Sequence, residues 1–401
     1  RSRAMEELIS SGLAGMDDAS ATREQREEKM KDVRRENHDE YINSTPPPCP
    51  CPLPPAAPET TTQEEEEEEE EEVYREEDRI ARCRGLWESR FTGKFGSFDD
   101  QTSLGPMRFT FGPIPSYARP HCTIQIFGIR VADLEDRLQW PLHVHGFLAA
   151  RDTSDHNRNF LFNRTSDNCQ VLTQQDPYLL LTGPPRAIVI IDPITIEFQL
   201  KVKSKMDPKE DEMLAFGIFN YPQTYLATHV IRSGILCDRC TIELAYAPLD
   251  PSVEATVIGV RIIDGVWLEG LRGRVVAEVT TVREGEVLLL DSREGKMPIS
   301  PSAGAVELSR RIVSVDLEGG KLVVSVVASP QTAAKEEGDD GGGAAVVVAR
   351  GEAVFAPERA GTSNGTCDLG FCKVEVAVAW SLVSSLWNER RALAKLAEER
   401  A

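Results

Sequence analysis

The sequence predicts an all-β protein built from two tandem, related antiparallel β-sandwich-like modules. Two observations lead to this prediction: an internal repeat, and a succession of short segments in which apolar and polar residues alternate. The repeat is clearest where residues 127–133 (FGIRVAD) return 131 residues later as residues 258–264 (IGVRIID). Two copies of this length indicate a pair of related domains rather than a solenoid.

Other segments of the first copy recur in the same order in the second. The matched pairs are HGFLAA (145–150) with RGRVVA (272–277), FLFN (160–163) with LLLD (288–291), residues 181–192 with 308–316, residues 196–203 with 321–327, and ELAYA (243–247) with EVAVA (375–379). One such match arises easily by chance, because apolar β-rich segments look alike. The common order of the series therefore indicates a tandem duplication.

Residues 1–85 are predicted to be a disordered, low-complexity tail. Pro46–Pro58 is rich in proline, and Glu64–Glu72 is an unbroken run of nine glutamates. Such a run repels itself and stays open. Residues 1–91 contain 13 Lys and Arg against 25 Asp and Glu, a net charge of −12. The poly-Glu run is interpreted as a solubilising spacer, and the alternative is a docking surface for basic partners.

Residues 86–121 are predicted to form an extended arm. A loose alternation over residues 73–91 is compatible with one helix that leads to Trp87, and glycines and prolines accumulate after it. Scattered phenylalanines are expected to pin this arm onto the folded body by packing.

From His121 onward the pattern has period two and is rich in β-branched residues, which predicts strands. The predicted strands cover residues 122–131, 142–149, 187–191, 194–203, 241–247, 253–263, 274–282, 287–290, 306–315, 322–327, 344–355 and 372–382. They divide into a first β module (122–250) and a second (251–384). Strands of this length, separated by turn residues, are typical of sandwiches. One arrangement open to the two copies is face-to-face packing. Residues 385–401 are predicted to form a short C-terminal helix.

Composition restricts the class of partner and the compartment. The net charge of −20 argues against nucleic acid or an anionic membrane as the main partner. No transmembrane segment is expected, because no apolar stretch reaches the length of a membrane span. Nine cysteines at irregular spacing suit a reducing compartment, and no secretory signal is visible. The expected location is cytoplasmic or nuclear.

Cys237 and Cys240 form a C-x-x-C motif, which has the half-site spacing of a zinc site or a redox pair. A structural zinc ion needs four ligands, and the sequence contains no second C-x-x-C. The alternative is a pair of free cysteines packed in a strand.

Three carboxylates, Asp152, Asp155 and Asp167, follow the opening strands of the first copy, with Asp176 nearby. Loop carboxylates of a β-sandwich can bind calcium, which prefers oxygen ligands. The alternative is a set of salt bridges, because arginines alternate with these aspartates in the sequence. No other metal site and no cofactor are expected.

Two further residue pairs are candidates. His143 and His145 alternate on one strand, where they are interpreted as ordinary strand histidines rather than metal ligands. Arg130 and Arg261 hold equivalent places in the two copies. Their functional interpretation is a pair of anion sites. The alternatives are outward-facing side chains, or buried arginines that pair with the equivalent Asp133 and Asp264.

Several longer phrases stand out beside the repeat. They are WES (87–89), TSLGPMR (102–108), LFNR (161–164), DNCQ (167–170), LTGP (181–184), LSRR (308–311), GTCDLGFCKVEV (365–376) and AWSL (379–382). Over roughly residues 86–384 the chain resembles a plant family, the grass-expanded domain of unknown function family 6598. The resemblance implies no reaction, cofactor or catalytic residue. Cys237–Cys240 departs from the family pattern.

The sequence therefore predicts a non-enzymatic intracellular module with a binding or regulatory role and a protein partner. A first alternative is a defence- or stress-related hydrolase or N-glycosidase with its site between the modules. A second is calcium-dependent lipid binding. A pocket between the copies with two convergent carboxylates would favour the hydrolase.

Overall fold

The structure is a computed structural model, and it describes residues 76–135, 138–191, 193–204, 211–221, 227–237, 239–293, 296–331, 347–385, 388–389 and 392. Most of the predicted acidic tail and nearly all of the predicted C-terminal helix lie outside the described residues. The described chain starts with helix α1 (Glu76–Phe95), so residues 86–95, the start of the predicted extended arm, are helical instead. No helix in this part of the chain has the length and hydrophobicity of a transmembrane span.

Sixteen strands follow α1 within the described residues. In the first copy they are β1 (His121–Leu134), β2 (Leu142–Arg151), β3 (Asn159–Arg164), β4 (Gln170–Leu172), β5 (Ile188–Val189), β6 (Ile194–Val202), β7 (Glu212–Tyr221), β8 (Ile231–Leu236) and the start of β9 (Cys240–Gly265). In the second copy they are the rest of β9, β10 (Leu271–Val279), β11 (Glu286–Asp291), β12 (Ile312–Asp316), β13 (Leu322–Pro330), β14 (Ala349–Phe355), β15 (Ala360–Asp368) and β16 (Cys372–Ser381).

Each strand pairing of the first copy recurs in the second, with β4 as an addition to the first. In the outer sheets, β2 pairs with β3 and β6, and β6 with β7; correspondingly, β10 pairs with β11 and β13, and β13 with β14. In the central sheet, β1 pairs with β5 and β9, and β8 with β9; correspondingly, β9 pairs with β12 and β16, and β15 with β16. All these pairs are antiparallel. The prediction of two tandem, related antiparallel modules is confirmed.

Strand β9 joins the two copies. The sequence predicted two strands here, residues 241–247 and 253–263, because Asp250 and Pro251 resemble a turn. The division is wrong, since the ladder continues through this point: Leu249 lies opposite Thr123, and Ser252 lies opposite His121. The predicted module boundary therefore falls inside one strand. The copies lie side by side in a common sheet rather than face to face.

The two hydrophobic cores lie on opposite faces of the central sheet. Successive residues of a strand point to opposite faces. On β9, Leu244 belongs to the core of the first copy, whereas Ala245 belongs to that of the second. Phe127 on β1 also enters the second core. The second core is therefore built partly from strands of the first copy.

Other departures from the predicted strands have local causes. Strand β15 was missed because it is rich in Ser, Thr and Gly and buries little of its surface. Strand β8 was also missed; it has six residues, and none of them is fully buried. Strand β7 was missed although residues 213–219 (MLAFGIF) carry no polar side chain. The strand predicted over residues 306–315 is regular only in β12, because Val306 and Leu308 belong to an irregular segment that nevertheless reaches the core.

The shared sheet predicts that the two copies unfold together. Phe162→Ala removes a fully buried ring from the first core and is expected to cost about 3–5 kcal/mol of unfolding free energy. Differential scanning calorimetry should show one endotherm that moves as a whole to lower temperature. Two endotherms, of which only one shifts, would contradict the coupling of the cores.

Candidate functional site: a buried ionic cluster and the junction beside it

Helix α1 packs on the first copy through Trp87. Its indole nitrogen donates to the carbonyl of His156 at 2.8 Å, and its ring meets that of Phe98 at 5.7 Å. Phe91 stacks on the imidazole of His156 with the ring centres 4.0 Å apart. The aromatic residues predicted to pin the arm thus also hold a helix, and they cover a cluster of buried charges.

The first part of the cluster is Glu197 on β6, which pairs with two arginines. Its carboxylate accepts from Arg151 at 2.7 Å and from Arg158 at 2.5 Å. The guanidinium of Arg151 also lies 3.8 Å from the centre of the Phe98 ring. Burial lowers the pKa of Arg151, although Glu197 acts in the opposite direction. Charges at this depth are stable only when they are paired and hydrogen-bonded.

The second part is Arg186, whose guanidinium lies between Asp152 and Asp155. It donates to Asp152 at 2.6 and 2.8 Å and to Asp155 at 2.9 Å. Burial alone would lower the pKa of Arg186, but the two carboxylates outweigh it, and the pKa is raised. Thr102 from the arm donates to Asp155 at 2.5 Å, which ties the arm into the cluster.

The carboxylates proposed for calcium therefore separate into two places. Asp152 and Asp155 are buried together, and the positive charge between them is the Arg186 guanidinium. Asp167 is exposed on the short 3-10 turn Ser166–Asn168, away from this cluster. Asp176 pairs with Arg293 at 2.9 Å. Calcium binding stays a prediction, and any calcium ion at the first pair would have to displace Arg186.

The predicted cysteine and histidine candidates lie elsewhere. Cys237 and Cys240 close the turn between β8 and β9. His145 pairs with Asp211 at 2.9 Å, and a backbone hydrogen bond from Ser204 is the main cause of the lowered pKa of Asp211. His143 lies 3.9 Å from the sulfur of Cys169. Over the described part of the chain, no group of three or more His, Cys, Asp or Glu is placed to share a metal ion.

The equivalent arginines of the two copies form equivalent ion pairs. Arg130 pairs with Glu243 at 2.7 Å, and Arg261 pairs with Glu375 at 2.8 Å. Each pair joins neighbouring strands of the central sheet. The sequence proposed Asp133 and Asp264 as partners, which is not what the structure shows. The glutamates were identifiable, because ELAYA and EVAVA were already matched between the copies.

Glu254 was not singled out from the sequence, yet it lies where the arm and both copies meet. It is buried, and its two oxygens accept from the backbone NH groups of Met107 at 2.9 Å and Ala187 at 2.8 Å. Burial raises its pKa. It lines a cavity of about 20 Å³ together with Arg108 and Arg186. A cavity of this size holds about one water molecule.

Arg310 is a second buried arginine, and its surroundings differ from those of Arg186. One of its terminal nitrogens donates to the carbonyl of Ile126 at 2.7 Å, and its Nε has no hydrogen-bond partner. No carboxylate pairs with it among the described residues, and burial lowers its pKa to about 9. In the alignment of the copies, Arg310 stands where the first copy has Gly183.

Fold and site together define an all-β protein with duplicated sandwich modules and buried charges that are used mainly in internal ion pairs. Comparison with protein families assigns it more closely: residues 123–378 match the model of a domain of unknown function, and the chain belongs to that family, DUF6598. No match was found among curated proteins.

Two solved structures show distant likeness. The chain is similar to the tandem C2 domains of extended synaptotagmin 2, with 8% identity, coverage of 71% of this chain and 100% of that chain, and a TM-score of 0.21. It is also similar to human GIVD cytosolic phospholipase A2, with 10% identity, coverage of 65% and 32%, and a TM-score of 0.19. At these TM-scores the likenesses carry no argument about fold or function.

Replacement of Arg186 and of Arg310 by methionine should have opposite effects on the stability of the protein. Arg186→Met leaves Asp152 and Asp155 buried without their counter-charge and is expected to cost about 3–5 kcal/mol. Arg310→Met removes a charge that has no counter-ion, so stability should be retained or increased. Urea unfolding of both variants and the wild type measures the difference. Equal losses in the two variants would show that the pairing of charges does not govern stability here.

The raised pKa of Glu254 predicts that the difference in unfolding free energy between the wild type and Glu254→Gln depends on pH. A carboxyl whose pKa is raised in the folded state keeps its proton to a higher pH than in the unfolded chain, so stability falls as pH rises through that interval. The variant lacks this titration. Relative to the wild type, it should become more stable as pH rises from about 4 to 7. Urea unfolding across that range tests the slope, and a constant difference would contradict it.

Proposed function

We propose that this protein is a non-enzymatic binding or regulatory module of a plant cell, which acts in the cytoplasm or nucleus through a protein partner. The observation that carries the proposal is a group of exposed apolar side chains at the turn between β9 and β10. Val266 is 69% exposed, Ile263 48% and Leu268 43%. Exposed apolar groups of this kind are a common mark of protein interaction sites.

The turn presents these side chains from a fixed base. Trp267, between Val266 and Leu268, packs against the second core. Its indole nitrogen donates to the carbonyl of Leu271 at 3.2 Å, and its ring meets that of Phe371 at 5.8 Å. Because the base is held in place, little conformational entropy would be lost when the exposed residues meet a partner.

The junction between the copies gives less support to a hydrolase or N-glycosidase. Glycoside hydrolysis generally uses two carboxyl groups on either side of the bond that is cleaved. The cavity at the junction has one carboxylate, Glu254, beside two arginines, and its volume of about 20 Å³ leaves no room for a sugar. Calcium-dependent lipid binding is likewise less favoured, because Arg186 lies between the aspartates proposed as ligands.

The proposed compartment and the proposed plant source both rest on the sequence. The irregularly spaced cysteines suit a reducing compartment. None of those in the described residues forms a disulfide. The phrases shared with the grass-expanded family support a plant source.

If the exposed β9–β10 turn binds the partner, the double variant Val266→Asp with Leu268→Asp should bind that partner more weakly. Both substitutions add charge to exposed positions, so the fold should remain intact while apolar contact is lost. The expected loss of affinity is at least tenfold, since burial of each side chain contributes about 1.5–3 kcal/mol. Affinity capture from grass tissue, with quantitative mass spectrometry, compares the variant with the wild type.

The matched control is Val354→Asp on β14, where the side chain is 58% exposed on a different sheet. A partner held by the β9–β10 turn is captured equally by the wild type and this control. Equal capture by the double variant would exclude the turn as the binding surface. Adenine release from ribosomes by the wild-type protein would contradict a non-enzymatic function.

A further inference from the structure

The turn between β8 and β9 brings two thiols together. Leu236 lies opposite Thr241, and the backbone NH of Cys237 donates to the carbonyl of Cys240 at 2.9 Å. In antiparallel strands, residues paired by backbone hydrogen bonds have Cα atoms about 5.5 Å apart. Disulfides span Cα separations of roughly 4.4–6.8 Å. The hairpin therefore holds Cys237 and Cys240 at a separation that a disulfide can bridge.

The two thiols differ in their access to solvent. Cys237 is half-buried, whereas Cys240 is 6% exposed and donates its thiol hydrogen to the carbonyl of Leu214 at 3.4 Å. A hydrogen bond with Cys237, followed by burial, raises the pKa of Cys240. The two thiols thus interact with each other, and Cys237 is the one that a reagent in solution reaches first.

The second copy shows that the hairpin itself does not require both cysteines. In the equivalent turn, the backbone NH of Leu369 donates to the carbonyl of Cys372 at 3.0 Å. Leu369 therefore takes the place of Cys237, and Cys372 takes the place of Cys240. Nearby Cys367 is buried and donates to the carbonyl of Val324 at 3.5 Å. The pair of thiols is a property of the first copy alone.

We propose that Cys237 and Cys240 form a reversible dithiol–disulfide site that exchanges with low-molecular-weight disulfides of the glutathione type. The Cys237 thiol loses its proton to solvent, and its thiolate attacks one sulfur of the small disulfide. This forms a mixed disulfide and releases one small thiolate, which takes up a proton. Cys240 then loses its proton and attacks the Cys237 sulfur, which releases the second small thiol. Two protein thiols are oxidised, and one small disulfide is reduced to two thiols.

The site is independent of the proposed binding function, and its effect is local to β8. In the described residues this strand pairs only with β9, so it is an edge strand held by one ladder. A disulfide at the turn would link the two strands covalently. Oxidation is therefore expected to slow the opening of β8 without a change in the fold of either copy.

Native thiol–disulfide exchange followed by peptide mapping tests the proposal on the full chain. The protein is equilibrated with mixtures of reduced and oxidised glutathione, and remaining thiols are blocked with N-ethylmaleimide before trypsin digestion. Cleavage after Arg232, Arg239 and Arg261 separates Cys237 from Cys240. A disulfide therefore appears as peptides 233–239 and 240–261 joined together. The joined pair should become the main form of both peptides as the proportion of oxidised glutathione rises.

Two variants test the order of attack. Cys240→Ser should accumulate a glutathione adduct on Cys237, because the resolving thiol is gone. Cys237→Ser should leave Cys240 unmodified under native conditions. Cys367 and Cys372 serve as internal controls that stay alkylatable after denaturation. A joined peptide pair that forms only after denaturation would overturn the proposal. So would a stoichiometric zinc ion that shields both thiols, or equal adduct formation in the two variants.

Discussion

The backbone ladder along β9 is the interaction on which the rest of the structure depends. One strand supplies the last strand of the first copy and the opening strand of the second. Because its side chains alternate between two faces, it places one core above the central sheet and the other below it. The repeated Arg–Glu pairs, the buried junction at Glu254 and the positions of both outer sheets all follow from this shared strand.

Within this scaffold the two copies have different polar chemistry. The first copy has a buried cluster of three arginines with their carboxylates, under a helix that has no counterpart in the described part of the second. The second copy has a buried arginine at the position of Gly183 and a leucine at the position of Cys237. In the first copy each of these buried arginines is paired with a carboxylate. Arg310 of the second copy is bonded instead to the backbone carbonyl of Ile126.

The sequence predicted the duplication, the fold class and most strands, because alternation and repeat order are local signals. It did not predict the continuity of β9, since Asp250 and Pro251 have the composition of a turn and only tertiary pairing overrides it. Of the aspartates expected to cluster, Asp152 and Asp155 lie together, whereas Asp167 and Asp176 lie elsewhere. Arg186 enters from a distant segment that no spacing rule connects to them. The buried position of Glu254 could not be predicted from the sequence. A single glutamate in an apolar strand has no sequence pattern that identifies its partners, which come from the arm and from the first copy.

The uninterrupted passage of β9 from one copy to the next also fixes a length. Cys240 begins the strand and Gly265 ends it, so the dithiol hairpin and the exposed β9–β10 turn stand at its opposite ends. A strand of this length extends to at most roughly 85 Å. Because no linker separates the copies, β9 itself sets the distance between the dithiol hairpin at one end and the exposed apolar turn at the other. The two proposed sites are therefore separated by the full length of β9.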